Sequence, residues 1–254
     1  MHLVRRHLIL TVDNEVVLDY NYQYELMKRI YEAIEINDKR KALSLHNEGY
    51  KVDKKVFKLF NYTIMFENAK YLKEGIHLNP QTKIKLILSG YDDILNNIIK
   101  GFIKCKVFKL NNIEFKVSDI EEDSKKNFNN ITLYKVRSPI VASLYDLKSR
   151  KQVYLNPMQE EFYKALHDNL GNKYKLIHNK EYTGELYFDI EDVLAVKKKY
   201  ITNIKGKGFI IGYTDFEIFV QANKDMQEVI YYCGLGEKNS IGMGLLTYIT
   251  SRRA

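Results

Sequence analysis

The fold of this chain is constrained most by a repeated feature: the same succession of strand-like and helix-like hydrophobic patterns occurs in both halves of the sequence. In the first half, residues 2–12 alternate like a β-strand, and residues 20–37 carry apolar side chains at helical spacing. Three further strands are predicted, in 57–66, 69–78 and 83–89. A helix in 91–102 and a hairpin turning about Asn111-Asn112 complete the half.

The same order returns in the second half, after a polar stretch at residues 121–130 that is the predicted linker. There the patterns predict a strand at 131–136, a long helix within 156–174, strands near 183–190, 192–204 and 208–220, a helix at 223–233 and a last strand at 244–250. A chain of 254 residues can bury two cores of roughly 120 residues each. We therefore predict an α+β fold with two tandem ferredoxin-like (RRM-like) domains, residues 1–125 and 126–254.

Charge and composition narrow the class of protein. The net charge is +8. If the basic side chains lie on one face of the protein, that face would attract nucleic acid. No apolar run approaches the roughly 20 residues of a membrane helix, and charge interrupts the N-terminal segment too early for a signal peptide, so we expect a cytoplasmic protein. Cys105 and Cys233 have no partners at ligand spacing, so neither a disulfide framework nor a metal site is expected.

A glycine-rich segment, "GLGEKNSIGMG" at residues 234–244, holds four of the 13 glycines of the chain. It lacks the third glycine of a dinucleotide fingerprint, because Asn239 stands there, and it lacks the Gly-Lys-Ser/Thr ending of a P-loop. Two interpretations remain. The glycines either cap a helix and turn the chain at positive φ, or let the backbone lie close to a helix, a strand or a polyanion.

Several segments together resemble one family. The pattern Gly-hydrophobic-Gly, five residues, Gly-hydrophobic-Gly is similar to the C-terminal signature of the repeat-associated RNA-binding proteins (RAMP superfamily) of CRISPR systems. The segments "YNYQYELMKRIYEAI", "LHNEGYKVDKKVFKLFNYT", "VRSPIVAS" and "NPMQEEFYKALHDNLGNKY" resemble, in order, parts of the CRISPR repeat-processing endoribonucleases. The resemblance spans almost the whole chain.

The resemblance implies a metal-independent endoribonuclease without cofactors that cleaves precursor CRISPR RNA within its repeats. The ribose 2′-OH attacks the adjacent phosphate and leaves a 2′,3′-cyclic phosphate and a 5′-OH end. Because the nucleophile belongs to the substrate, the enzyme supplies alignment, proton transfer and charge stabilisation. The implied partner is CRISPR repeat RNA in a basic groove, with effector-complex subunits or a second copy as further partners.

His46 stands at the position of the family's catalytic histidine. Asp38 is a predicted N-cap and Gly49 follows the helix end, so His46 falls in the last turn of a short helix or immediately after it. The helix dipole and RNA phosphates would both favour the imidazolium there, so we expect His46 to act as a general acid. A structural or surface role is the alternative.

Tyr31 and a lysine complete the expected catalytic set. Tyr31 lies at the edge of the buried stripe of the first helix. The resemblance implies a tyrosine here that orients or deprotonates the 2′-OH, and a core role is equally consistent. The family's lysine precedes a Leu-Phe pair, which selects Lys58, with Lys51 as the second choice. A strand through 56–60 would place Lys58 on one face with Val56 and Phe60.

Phosphate contacts are expected from lysines and from exposed backbone N–H groups. The expected RNA-binding residues are Lys238, Gly234, Gly236, Gly242, Gly244, Lys51, Lys39, Arg40, Lys205 and Lys207. Arg5 and Arg6 form another basic cluster, but consecutive strand residues face opposite sides of a sheet, so at most one can serve a given surface. A subunit that binds repeat RNA without cutting it is the alternative function, and a small-molecule enzyme on the same fold leaves the glycines and the charge unexplained.

Overall fold

The computed structural model describes residues 1–202 and 209–252. In the first half, the elements are β1 (Leu3–Thr11), β2 (Val16–Leu18), α1 (Gln23–Asn37), α2 (Lys39–Asn47), β3 (Tyr50–Val52), β4 (Lys55–Phe57), β5 (Phe60–Glu67), β6 (Lys70–Leu72), β7 (Gly75–Leu78), β8 (Lys83–Tyr91), α3 (Asp92–Cys105), β9 (Val107–Leu110) and β10 (Ile113–Glu122). In the second half, they are β11 (Ile131–Val136), β12 (Ser143–Asp146), β13 (Lys151–Tyr154), α4 (Glu160–His178), β14 (Tyr187–Ile190), β15 (Lys197–Thr202), β16 (Phe209–Thr214), β17 (Glu217–Gln221), α5 (Lys224–Cys233) and β18 (Leu246–Arg252).

The main sheet of the first half has the strand order β5-β8-β1-β10-β9, and all its neighbouring strands are antiparallel. Its first four strands connect as strand, helices, two strands, helix, strand, which is ferredoxin-like topology. Helices α1 and α3 pack closely, because Gly101 has no side chain where a Cβ would overlap the backbone of Ala33. The resulting core contains Leu8, Ile30 and Leu86, all fully buried.

The second half repeats this connectivity with the strand order β14-β17-β11-β18, again antiparallel throughout. Its core joins the buried faces of α4 and α5 to the sheet. The α+β fold with two tandem ferredoxin-like units is therefore confirmed. No helix in residues 1–202 or 209–252 combines the length and apolar character needed to cross a bilayer.

Three predicted strands differ from the structure at single backbone positions. The segment 69–78 is a hairpin of β6 and β7 that turns just before Gly75, and 57–66 is interrupted at Leu59, whose φ is +53°. The segment 208–220 is divided between β16 and β17 because Asp215 adopts a φ of +68°. The hairpin of β12 and β13 was not predicted at all.

The two halves share a buried interface. Helix α5 lies on strands β1, β5 and β8 of the first sheet, and the β3–β4 hairpin contributes Val52 and Phe57 to the second core. Arg5, only 5% exposed, reaches from β1 to the second half. Its guanidinium donates to the carbonyls of Leu246, at 2.8 Å, and of Tyr231, and lies 3.6 Å from the centre of the Tyr231 ring. Arg5 therefore joins the halves and is not available to a surface ligand.

Candidate active site

His46 is positioned by the short helix α2. The Asp38 carboxylate accepts a hydrogen bond from the Lys41 backbone N–H at 3.0 Å, which is the predicted N-cap. Gly49, with φ +58°, reverses the chain just after the helix ends. His46 lies exposed in the last turn, with its Nδ1 3.0 Å from the side-chain oxygen of Asn47. An exposed imidazole at this helix end can exchange protons with a bound substrate.

Tyr31 faces His46 from the neighbouring helix α1. The two rings meet edge to face with their centres 6.0 Å apart, and Tyr31 also contacts the ring of Phe60 at 6.1 Å. Burial raises the pKa of the Tyr31 phenol, and interaction with the Ser240 side chain partly opposes that rise. The phenol therefore keeps its proton at neutral pH, which suits hydrogen-bond donation better than proton abstraction.

Lys58 follows β4 and is not part of a continuous strand, so the predicted alternation with Val56 and Phe60 is wrong. The left-handed backbone of Leu59 breaks the strand and lets the Lys58 side chain reach the end of α2. Its Nζ donates to the carbonyl oxygen of His46 at 2.8 Å and to that of Leu45. Burial lowers the pKa of Lys58. A cation on the last carbonyls of a helix stabilises that end, so Lys58 holds the backbone that carries His46.

The glycine-rich loop, residues 234–244, combines both interpretations of its glycines. All four glycines have positive φ, and Gly234 is the C-cap of α5. A Cβ on Gly236 would overlap the carbonyl of Val141, and one on Gly244 would overlap that of Leu235. Gly234, Gly236 and Gly244 are buried among protein atoms, so they shape the loop from inside and offer no surface to RNA.

The loop also reaches the first half of the chain. Its Asn239–Ile241 turn packs against α1 and β5, and this contact brings Ser240 to Tyr31. Gly242 lies over Tyr62, where a Cβ would come within 3.0 Å of the ring. The sequence alone does not indicate a role for Ser240, because a serine in a glycine-rich turn does not reveal which helix or strand the turn packs against.

A cleft of about 590 Å³ opens beside this turn. Ile241 and Gly242 form part of its wall, and Tyr62 contributes a buried hydroxyl that has no hydrogen-bond partner among the described residues. The aromatic and basic side chains that line the cleft are Tyr20, Tyr22, Tyr24, Tyr71, Tyr200, Arg137 and Lys199. Stacking faces and cations in one groove are the combination that holds single-stranded nucleic acid.

The expected RNA-binding lysines and arginine within the described residues lie on three separate parts of the chain. Lys39 and Arg40 are exposed in the first turn of α2, and Lys51 is exposed on β3. Lys238 is partly exposed and starts the Asn239–Ile241 turn with a φ of +60°. Lys205 and Lys207 lie outside the described residues.

Two family models account for nearly the whole chain. Residues 17–121 match the description "CRISPR-associated protein Cas6, N-terminal", and residues 121–248 match "CRISPR associated protein Cas6, C-terminal". The chain belongs to the Cas6 family. The resemblance to CRISPR repeat-processing endoribonucleases is thereby confirmed.

Individual Cas6 proteins agree with this membership. The chain is 28% identical over 254 residues to "CRISPR-associated endoribonuclease Cas6 1" of Methanocaldococcus jannaschii, covering 98% of this chain and 94% of that protein. It is 27% identical to "CRISPR-associated endoribonuclease Cas6" of Pyrococcus furiosus, covering 92% of this chain and 84% of that one.

Solved structures share the fold over nearly the full length. A structure described as "CRISPR associated protein Cas6" superposes with a TM-score of 0.81 at 26% identity, covering 98% of this chain and all of that one. Another, described as "An RAMP protein binding different RNA substrates", has a TM-score of 0.82 at 22% identity with 98% and 100% coverage, and it supports the fold alone.

Proposed function

We propose that this protein cleaves precursor CRISPR RNA within its repeats, by attack of a ribose 2′-OH on the adjacent phosphate and without a metal ion. The observation that carries the proposal is the pairing of Tyr31 with the exposed His46, their rings 6.0 Å apart, in a chain of the Cas6 family. The products would be a 2′,3′-cyclic phosphate and a 5′-OH. We place the reaction in the cytoplasm.

Each candidate residue has a distinct role. Attack forms a bond from the 2′-oxygen to phosphorus while the 2′-OH proton passes to solvent water. It breaks the bond from phosphorus to the 5′-oxygen, which takes a proton from His46. The neutral phenol of Tyr31 orients the 2′-OH. Lys58 fixes the end of α2 through the His46 carbonyl. To stabilise the phosphorane directly, its Nζ would first have to leave that carbonyl.

The cleft beside the Asn239–Ile241 turn supports a path for the RNA strand. Tyr200, 61% exposed, and Tyr24 provide faces on which bases stack, while Arg137 and Lys199 are placed for phosphates. Lys39, Arg40, Lys51 and Lys238 are further proposed phosphate contacts, and all four side chains are at least partly exposed. Gly242 is the one glycine of the glycine-rich loop that also lines the cleft.

The decisive experiment incubates the protein with repeat RNA from its own genome in EDTA. We expect wild-type cleavage with cyclic phosphate ends, and a rate lower by about 10²–10⁴-fold for His46→Ala. His167→Ala, an exposed histidine on α4, is the matched control and should cleave like wild type.

Three outcomes would contradict parts of the proposal. Loss of wild-type cleavage in EDTA would exclude the metal-free mechanism. Equal cleavage by His46→Ala would exclude His46 as the acid. Tight binding by all three proteins without cutting would instead identify an RNA-binding subunit of an effector complex.

A further inference from the structure

Lys173 on α4 is a charged side chain in the interior of the second half. It is 2% exposed and is among the largest fully buried side chains of the protein. Burying an ammonium group without partners costs several kcal/mol or more, so a lysine is retained at such a place only with strong acceptors around it. The catalytic roles assigned above do not use Lys173.

The acceptors of Lys173 belong to the glycine-rich loop. Its Nζ donates to the carbonyl of Gly234 at 2.8 Å and to that of Gly236 at 2.9 Å. Burial lowers the pKa of Lys173 to about 7, while Cys233 and Glu237 act in the opposite direction. Gly234 is the C-cap of α5 and Gly236 follows it outside the helix, so neither carbonyl has a helical partner, and the lysine satisfies groups that would otherwise be buried alone.

This contact determines where the loop begins. Leu235, between the two carbonyls, donates its N–H to the Gly244 carbonyl at 2.9 Å, which closes the loop on itself. Glu237 donates its N–H to the Val141 carbonyl at 2.8 Å. Hydrogen bonds therefore hold the start of the loop in place. The Asn239–Ile241 turn lies further along the loop and packs on α1 and β5.

We propose that Lys173 is a positioning residue for RNA cleavage: by holding the carbonyls of Gly234 and Gly236, it keeps Ser240 against Tyr31 and so orients the phenol. This inference rests on the function proposed above. In this role, Lys173 in the interior of the second half acts on the catalytic pair of the first half through the glycine-rich loop and not through contact with RNA.

Two substitutions separate this role from simple packing. Lys173→Met keeps an unbranched side chain of similar volume but leaves both carbonyls without a donor. Lys173→Gln keeps two N–H donors near the same position. Lys164→Met on the same helix is the matched control, because Lys164 is 67% exposed and pairs only with Glu160 at 2.9 Å among the described residues.

The experiment measures three quantities for each variant: the single-turnover cleavage rate at saturating repeat RNA, the dissociation constant of the RNA, and hydrogen exchange at the amides of residues 235–244. For Lys173→Met we expect a rate about 10- to 100-fold lower, because a displacement near 1 Å has effects of that size. Its RNA affinity should change less than about 3-fold, and exchange in the loop should accelerate. Lys173→Gln should recover part of the rate.

A wild-type cleavage rate in Lys173→Met would overturn the proposal, as would a loss confined to RNA affinity. If Lys173→Met fails to fold, Lys173→Gln decides: a folded protein with unprotected loop amides and full activity excludes the positioning role. Absence of cleavage by wild type and Lys164→Met would refute the proposed function, and the positioning role with it. Slow cleavage by Lys173→Met alone, with fast wild type, supports both.

Discussion

At the residue scale, the surroundings of Tyr31 and His46 assign them different chemistry. Tyr31 is packed between the rings of Phe60 and His46, and burial raises the pKa of its phenol. His46 is open to solvent at a helix end, where a proton can enter and leave. The pair therefore combines a packed, protonated phenol with an imidazole that is open to solvent.

Tyr31→Phe tests this division of roles. The substitution keeps the ring packing and removes the hydroxyl, so we expect a folded protein that cleaves about 10- to 100-fold more slowly. Because the raised pKa keeps the wild-type phenol protonated, the ratio of wild-type to variant rates should be constant between about pH 6 and 9. Single-turnover rates across that range measure the ratio. A ratio that rises about tenfold per pH unit would mean that Tyr31 acts as its anion.

At the scale of single elements, the glycine-rich loop depends on backbone conformations with positive φ, which residues other than glycine adopt only at a cost in free energy. Gly244 has a φ of +72° and lies against the carbonyl of Leu235, and its own carbonyl accepts the Leu235 N–H hydrogen bond that closes the loop. By contrast, Gly171 lies within α4, and apart from its chain neighbours and the adjacent backbone of the helix, no atom of the described residues lies within 4 Å of the position that a Cβ would take there.

These two glycines predict opposite effects of alanine. Gly244→Ala should reduce the free energy of unfolding by at least about 1–2 kcal/mol, from the left-handed backbone alone, with the steric overlap adding to it. Gly171→Ala should increase it by roughly 0.5–1 kcal/mol, because alanine favours the helix interior. Urea unfolding of both variants measures the difference. Equal stability of the two variants would contradict the role given to Gly244.

Hydrophobic periodicity predicted the helices and the main-sheet strands of both halves, since each pattern reflects a local contact with a core, but it missed the β12–β13 hairpin. It failed at Leu59 and Asp215, where one residue with positive φ breaks a strand without any change in composition. Within the candidate site, local sequence patterns predict only the arrangement of residues that are close in the chain, such as the position of His46 at the end of α2. The contact between Ser240 and Tyr31 depends on how the halves pack, which no local pattern records.

At the scale of the whole molecule, Arg5 holds the two halves together. In addition to the carbonyls of Leu246 and Tyr231, its Nε donates to the Ser89 hydroxyl at 3.0 Å. The buried guanidinium therefore donates hydrogen bonds to groups from both halves. Such a planar, permanently charged group suits a fixed geometry between two domains better than a flexible lysine would.

Arg5→Met should lower the free energy of unfolding by about 3–5 kcal/mol, because it leaves buried carbonyls without donors. Lys109→Met is the control, since Lys109 is 60% exposed in a surface pair with Glu114 and its loss should cost under about 1 kcal/mol. Denaturant unfolding at neutral pH compares the two. If Arg5→Met were as stable as the control, the halves would be held together by apolar packing alone.

The reach of the glycine-rich loop to Tyr31 also has a consequence for synthesis of the protein. His46 and Tyr31 emerge from the ribosome long before the turn that contains Ser240 has been translated. Under the roles proposed above, a growing chain carries His46 before the turn that orients Tyr31 exists, so we expect no cleavage of cellular transcripts until that turn has been translated and both halves have docked.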